Sequence, residues 1–156
     1  MPVKILMVCL GNICRSPMAE GLMQAKIQRH KLGAEVDSAG FERFHTGDAP
    51  DYRATTTMKT HGIDISGQVA RQFRKSDFDT FDLIYVMDQN NFNDVKSLAV
   101  SQSQMLKVEF IVNELQPGSN KPVPDPYYGG TDGFEKVYQL LDAATEAIAL
   151  RLKNGG

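Results

Sequence analysis

Cysteine is scarce in this chain: two residues in 156, Cys9 and Cys14, both inside one short stretch. That excludes the disulfide framework on which small secreted domains depend, and the expected compartment is the reducing cytoplasm. Histidine is scarce too. His30, His45 and His61 fall at no metal-ligand spacing, so no metal or other cofactor is expected. No apolar run approaches the ~20 residues that a membrane span requires. The N-terminus runs straight into a short apolar segment without a signal-peptide pattern, and no membrane association is expected. The net charge is −2, with no basic stripe to hold nucleic acid and no block of like charge to mark a disordered tail. The nucleotide-binding pattern G-x-x-x-x-G-K-[ST] is absent.

The residues that are present alternate between strand and helix patterns. Apolar residues 3–8 read as a strand, 17–31 as a helix and 34–38 as a second strand. A helix is expected over 51–61, closed by Gly62 as its C-cap. A short helix within 73–79, a strand over 82–87, a helix over 89–98 and a short strand near 106–110 follow. A loop over 117–132 carries the run PVPDPYYGG, and the last helix, about 133–152, has an apolar stripe from Phe134 to Leu152. With no repeat and no linker, residues 1–156 are expected to form one domain. The βαβα order implies an α/β fold: a doubly wound parallel sheet of about four strands.

The segment VCLGNICRSPM at 8–18 carries the chemistry. Cys9 ends a strand, and the loop Leu10, Gly11, Asn12, Ile13, Cys14 feeds a helix that opens on Arg15, Ser16 and Pro17. Ligands of α/β sheets bind at that end of the strands. A helix N-terminus offers free backbone N–H groups and a positive dipole end. Arg15 adds a planar fork matched to phosphate oxygens. Gly11 and Asn12 tolerate the positive φ that a tight loop with inward N–H groups needs. The same field favours the Cys9 thiolate, with Ser16 as a hydrogen-bond donor to it. A thiolate inside an anion cradle is equipped to attack phosphorus. Such an attack needs a proton for the leaving oxygen, and Asp125, in the long loop beside Tyr127 and Tyr128, is the candidate acid. The two tyrosines could wall a pocket and stack on an aromatic leaving group.

These motifs together resemble the low-molecular-weight protein tyrosine phosphatases. VCLGNICRSPMAEG and DPYY carry the likeness, with DSAG at 37–40, HGI at 61–63, ARQ at 70–72 and VMD at 86–88. The resemblance implies a four-stranded parallel sheet with helices on both faces, a phosphate-binding loop after the first strand, and metal-free hydrolysis of phosphotyrosine on proteins with inorganic phosphate as product. It implies that Cys9 forms a cysteinyl-phosphate intermediate, Arg15 binds phosphate, Ser16 supports the thiolate, and Asp125 acts as acid and then as base. It implies that residues 10–16 cradle the phosphate and that Asn12 is held by hydrogen bonds, one from Ser38. Ile13, Phe44, Tyr127 and Tyr128 match the substrate pocket. A monomer is expected. Family members with the Cys9–Cys14 pair are thought to form a protective disulfide on oxidation.

The chain departs from the family at one point. Many members carry a histidine after HGI that supports the loop asparagine. Here residues 64–69 read Asp-Ile-Ser-Gly-Gln-Val, which puts Gln68 in that role, with Ser66 as the second candidate. Two related activities compete. Arsenate reductase needs further redox cysteines, and none follows Cys14. Protein arginine phosphatases typically have threonine where this chain has Ile13, whose aliphatic branch suits an aromatic ring better than a guanidinium.

Overall fold

The computed structural model describes residues 2–128 and 131–155, and the Tyr128 and Thr131 side chains lie outside what it describes. Four parallel strands, β1 (Val3–Val8), β2 (Ala34–Ala39), β3 (Leu83–Val86) and β4 (Val108–Phe110), form one sheet in the order β2-β1-β3-β4. Successive side chains of a strand point to opposite faces, and here both faces are covered. Ile5 and Met7 of β1 face a core shared with Met18, Leu22 and Met23 of α1 (Arg15–Arg29) and Leu141 and Ile148 of α6 (Thr131–Lys153). Leu6 and Val8 face the other way, onto Phe78 of α3 (Asp77–Thr80) and Val95 of α4 (Gln89–Leu98). β1 is therefore buried on both sides, which is why it reads as a continuous apolar run.

The strand order reverses at β1, because β2 lies on one side and β3 on the other. The loops leaving the C-terminal ends of β1 and β3 diverge there and leave a crevice. Helix α2 (Tyr52–Thr60) ends as expected at Gly62, whose φ is +82°. Gly62 N–H bonds the Lys59 carbonyl and Ile63 N–H the Met58 carbonyl, the paired bonds of a glycine-closed helix end.

Element ends shift by one or two residues in several places, and three differences from the sequence reading bear on the site or the sheet. α1 starts at Arg15, not 17, because the loop winds directly into the first turn. β4 covers only three residues of the expected 106–110. A four-residue helix, α5 (Gln102–Met105), precedes it, capped by the Ser101 hydroxyl accepting from Gln104 N–H. Ser101 and Gln104 stand in a polar stretch with no apolar periodicity to announce a helix.

Candidate active site

Cys9 follows β1 directly, and its N–H bonds the Ala39 carbonyl at 3.2 Å, extending the ladder one residue past the strand. The chain then turns sharply. Asn12 sits in the left-handed region at φ +55°. The loop is tied down from outside: the Leu10 carbonyl accepts from Phe41 and Glu42 N–H, and the Ile13 carbonyl from Asp51 N–H at 2.7 Å. Gly40 permits the closest approach. A Cβ there would stand 2.7 Å from the Asn12 nitrogen, so any larger residue displaces the loop.

The Asn12 side chain is buried and uses its whole amide. Nδ2 donates to Ser16 Oγ at 2.8 Å and to Ser38 Oγ at 2.9 Å, and Oδ1 accepts from Arg71 N–H at 3.0 Å. Ser16 Oγ lies 3.0 Å from Cys9 Sγ. Ser16 and Ser38 both bond Asn12, and Ser16 also stands beside the Cys9 sulfur. Gln68 is a correction: its Nε2 donates to the Pro17 carbonyl and it makes no bond to Asn12. Ser66 turns onto Asp64 instead. The third support of Asn12 is a backbone amide, which any residue type but proline could supply.

Arg15 is 3% exposed. Its Nη1 donates to Asp88 Oδ2 and to the Val123 carbonyl, both at 2.8 Å, while Nη2 stands 3.9 Å from Asp125 Oδ2. The other oxygen of Asp88 caps α4 by accepting from Asn91 N–H. One carboxylate thus locks a helix start and the guanidinium together. Asp125 Oδ1 accepts from Tyr127 N–H at 3.0 Å. That turn leaves the carboxyl group about a third exposed at the cavity mouth.

The cavity is about 120 Å³. The loop residues Cys9, Leu10, Gly11, Ile13, Cys14 and Arg15 line it, together with the aromatic rings of Phe44 and Tyr127. Arg53, bonded to the Asp51 carboxylate, lies over the Tyr127 ring at 5.2 Å. Cys14 is buried, and burial, then the nearby Asp51 carboxylate, pushes its thiol well above the usual range. Of the residues read from sequence, the cavity gathers Cys9, Leu10, Gly11, Ile13, Cys14, Arg15, Phe44, Asp125 and Tyr127, and it is not lined by Asn12, Ser16, Ser38 or Gln68.

Sequence reasoning missed several partners. Asp88 was legible only as an acid after a strand. Glu42 and His45 line the cavity beside Phe44 and pair at 3.3 Å. Glu20 accepts from Ser38 at 2.6 Å. His30 and His61 meet Glu146 and Glu135, so all three histidines pair with carboxylates.

A family profile described as low molecular weight phosphotyrosine protein phosphatase matches residues 4–155. The chain is 42% identical over 139 residues to the low molecular weight phosphotyrosine protein phosphatase of Homo sapiens, covering 86% of each. It superposes on a crystal structure of a protein tyrosine phosphatase from Entamoeba histolytica with a TM-score of 0.90, at 37% identity over 98% of both chains. A structure of the arginine phosphatase YwlE matches with a TM-score of 0.86 at 26% identity, over 97% of this chain and 96% of that one.

Proposed function

This chain belongs to the low molecular weight phosphotyrosine protein phosphatase family and is a protein-tyrosine phosphatase; from that premise we propose that Cys9, Arg15 and Asp125 carry its reaction. Cys9 Sγ attacks the phosphorus in line. The bond from phosphorus to the phenolic oxygen breaks, and Asp125 gives its proton to the leaving oxygen. A water then attacks the cysteinyl phosphate. Asp125 takes its proton, the S–P bond breaks, and inorganic phosphate leaves. Arg15 and the N–H groups of residues 10–16 hold the charge that gathers on the phosphoryl oxygens. One observation carries this reading: Cys9 and Arg15 of one loop and Asp125, far along the chain, line a single small cavity.

The pocket favours a phosphotyrosine. Phe44 and Tyr127 line it and suit a flat ring, and Ile13 offers it an aliphatic surface. The reading takes the chain as one cytoplasmic domain, acting as a monomer without metal or organic cofactor and without nucleic acid or membrane. Peptides carrying phosphotyrosine, phosphoserine or phosphoarginine, compared without metal, test it. Phosphotyrosine should be hydrolysed fastest, and preference for phosphoserine would defeat the reading.

The second reading, arginine phosphatase, is supported by the likeness to YwlE. Ile13 decides between them on the present argument. Ile13→Thr puts a hydroxyl in the cavity lining where the group attached to phosphorus lies. The ratio of kcat/KM for phosphoarginine to that for phosphotyrosine should rise by about tenfold or more. An unmoved ratio removes Ile13 as the selector.

We also propose reversible control by oxidant. Both thiols are free and buried in one loop. Peroxide converts the Cys9 thiolate to a sulfenic acid with release of hydroxide, and Cys14 condenses with it to a disulfide with loss of water. Wild type should recover on thiol treatment, phosphate should protect it, and Cys14→Ser should be inactivated largely irreversibly. Full thiol rescue of that variant after prolonged peroxide would show that Cys14 protects nothing.

A further inference from the structure

Glu20, on α1 behind the phosphate-binding loop, has no part in the chemistry above. Yet it ends an unbroken chain of hydrogen bonds: Glu20 Oε1 to Ser38 Oγ at 2.6 Å, Ser38 Oγ to Asn12 Nδ2 at 2.9 Å, Asn12 Nδ2 to Ser16 Oγ at 2.8 Å, and Ser16 Oγ to Cys9 Sγ at 3.0 Å. The proton positions follow from what each group can do. Arg71 N–H can only donate, so the oxygen of the Asn12 amide faces it and both amide hydrogens go to the two serines. Each serine keeps one proton of its own. A carboxylate only accepts, so Ser38 gives its proton to Glu20. Ser16 is left with its proton for Cys9.

We propose that Glu20 is a positioning residue: by holding the Ser38 proton it keeps the Ser38 oxygen turned to accept from Asn12, which anchors the amide where Ser16 is left to donate to the Cys9 sulfur; this rests on Cys9 being the nucleophile. Without an acceptor at Glu20, the Ser38 hydroxyl loses the bond that fixes it and no longer holds the Asn12 amide in place. The amide oxygen stays on Arg71 N–H, but the amide is freed on its Ser38 side, and its hold on Ser16, and with it the Ser16–Cys9 contact, loosens. Burial raises Glu20, countered first by its bond from Ser38, while Asp37 and Arg71 act on it with opposite signs. The carboxylate is therefore held where desolvation opposes it, as a group with a task is.

The test is the pH profile of Cys9 alkylation by iodoacetamide, with the adduct located by mass spectrometry to separate it from Cys14. Glu20→Ala should move the midpoint up by about one pH unit, about tenfold slower alkylation on the acid limb. Glu20→Gln keeps an acceptor carbonyl and should stay within about a third of a unit of wild type. In a Ser38→Ala background, Glu20→Ala should add nothing, because Glu20 acts only through Ser38. A Glu20→Ala profile identical to wild type overturns the proposal, as does an equal shift with and without Ser38. Failure of the phosphatase reading looks different: wild type would leave aryl phosphates intact while its alkylation profile still depended on Glu20.

Discussion

Cys9→Ser abolishes turnover of aryl phosphates, by a factor on the order of 10⁶ if the nucleophile acts as part of one unit with its neighbours. The hydroxyl of a serine stays protonated at neutral pH, and no thiolate is available to leave in the second step. The replacement is small and keeps a partner for Ser16, which lies 3.0 Å from the sulfur. The cradle should therefore survive. Arg15 remains fixed by Asp88 and Val123, and the loop remains tied through the Leu10 and Ile13 carbonyls. Phosphate or vanadate should still bind and raise the midpoint of thermal unfolding with concentration, as any ligand of the folded state does. Loss of turnover with retained anion binding is the expected pair of results. Turnover by Cys9→Ser above trace level would remove Cys9 from its role.

Asp125→Asn has the second largest expected effect, and its size should depend on the substrate. An aryl ester with a poor leaving group needs a proton on its oxygen as the bond breaks, so it should slow by roughly 10²–10⁴. An ester whose phenol is already acidic needs little protonation and should lose far less in the first step. The amide keeps the oxygen that accepts from Tyr127 N–H at 3.0 Å, so the turn at the cavity mouth is preserved. Rates across a series of leaving groups separate proton transfer from geometry. A uniform loss over the series would assign Asp125 a structural role.

What separates these residues in legibility is the range of their interactions. The nucleophile, the guanidinium and the loop all lie within residues 9–16, and their pattern is local, so spacing alone displays it. The acid is distant, but it sits in a long loop of unusual composition, which marks it as a functional segment. Phe44 came from the resemblance, since nothing in its own surroundings distinguishes an exposed aromatic at a cavity edge from one on an ordinary surface. Gln68 failed for an identifiable reason. Its distance from HGI matches the family position, but the Asn12 oxygen is satisfied by the N–H of Arg71, three residues on.

The sequence by itself determined the α/β class, the parallel sheet and the strand-to-helix loop that holds Cys9 and Arg15, because periodicity and short-range spacing encode these, and it offered Asp125 as the acid candidate through the composition of a long loop. Only the tertiary structure decided how the site is held. Asp88 fastens Arg15 from the end of β3, Gly40 lets β2 approach the loop, and Glu20 reaches Ser38 from α1. Those are contacts between separate elements. Their partners are ordinary acids, a glycine and backbone amides, residue types found throughout the chain. Only their packing around the crevice between β1 and β3 distinguishes them from their many counterparts on the surface.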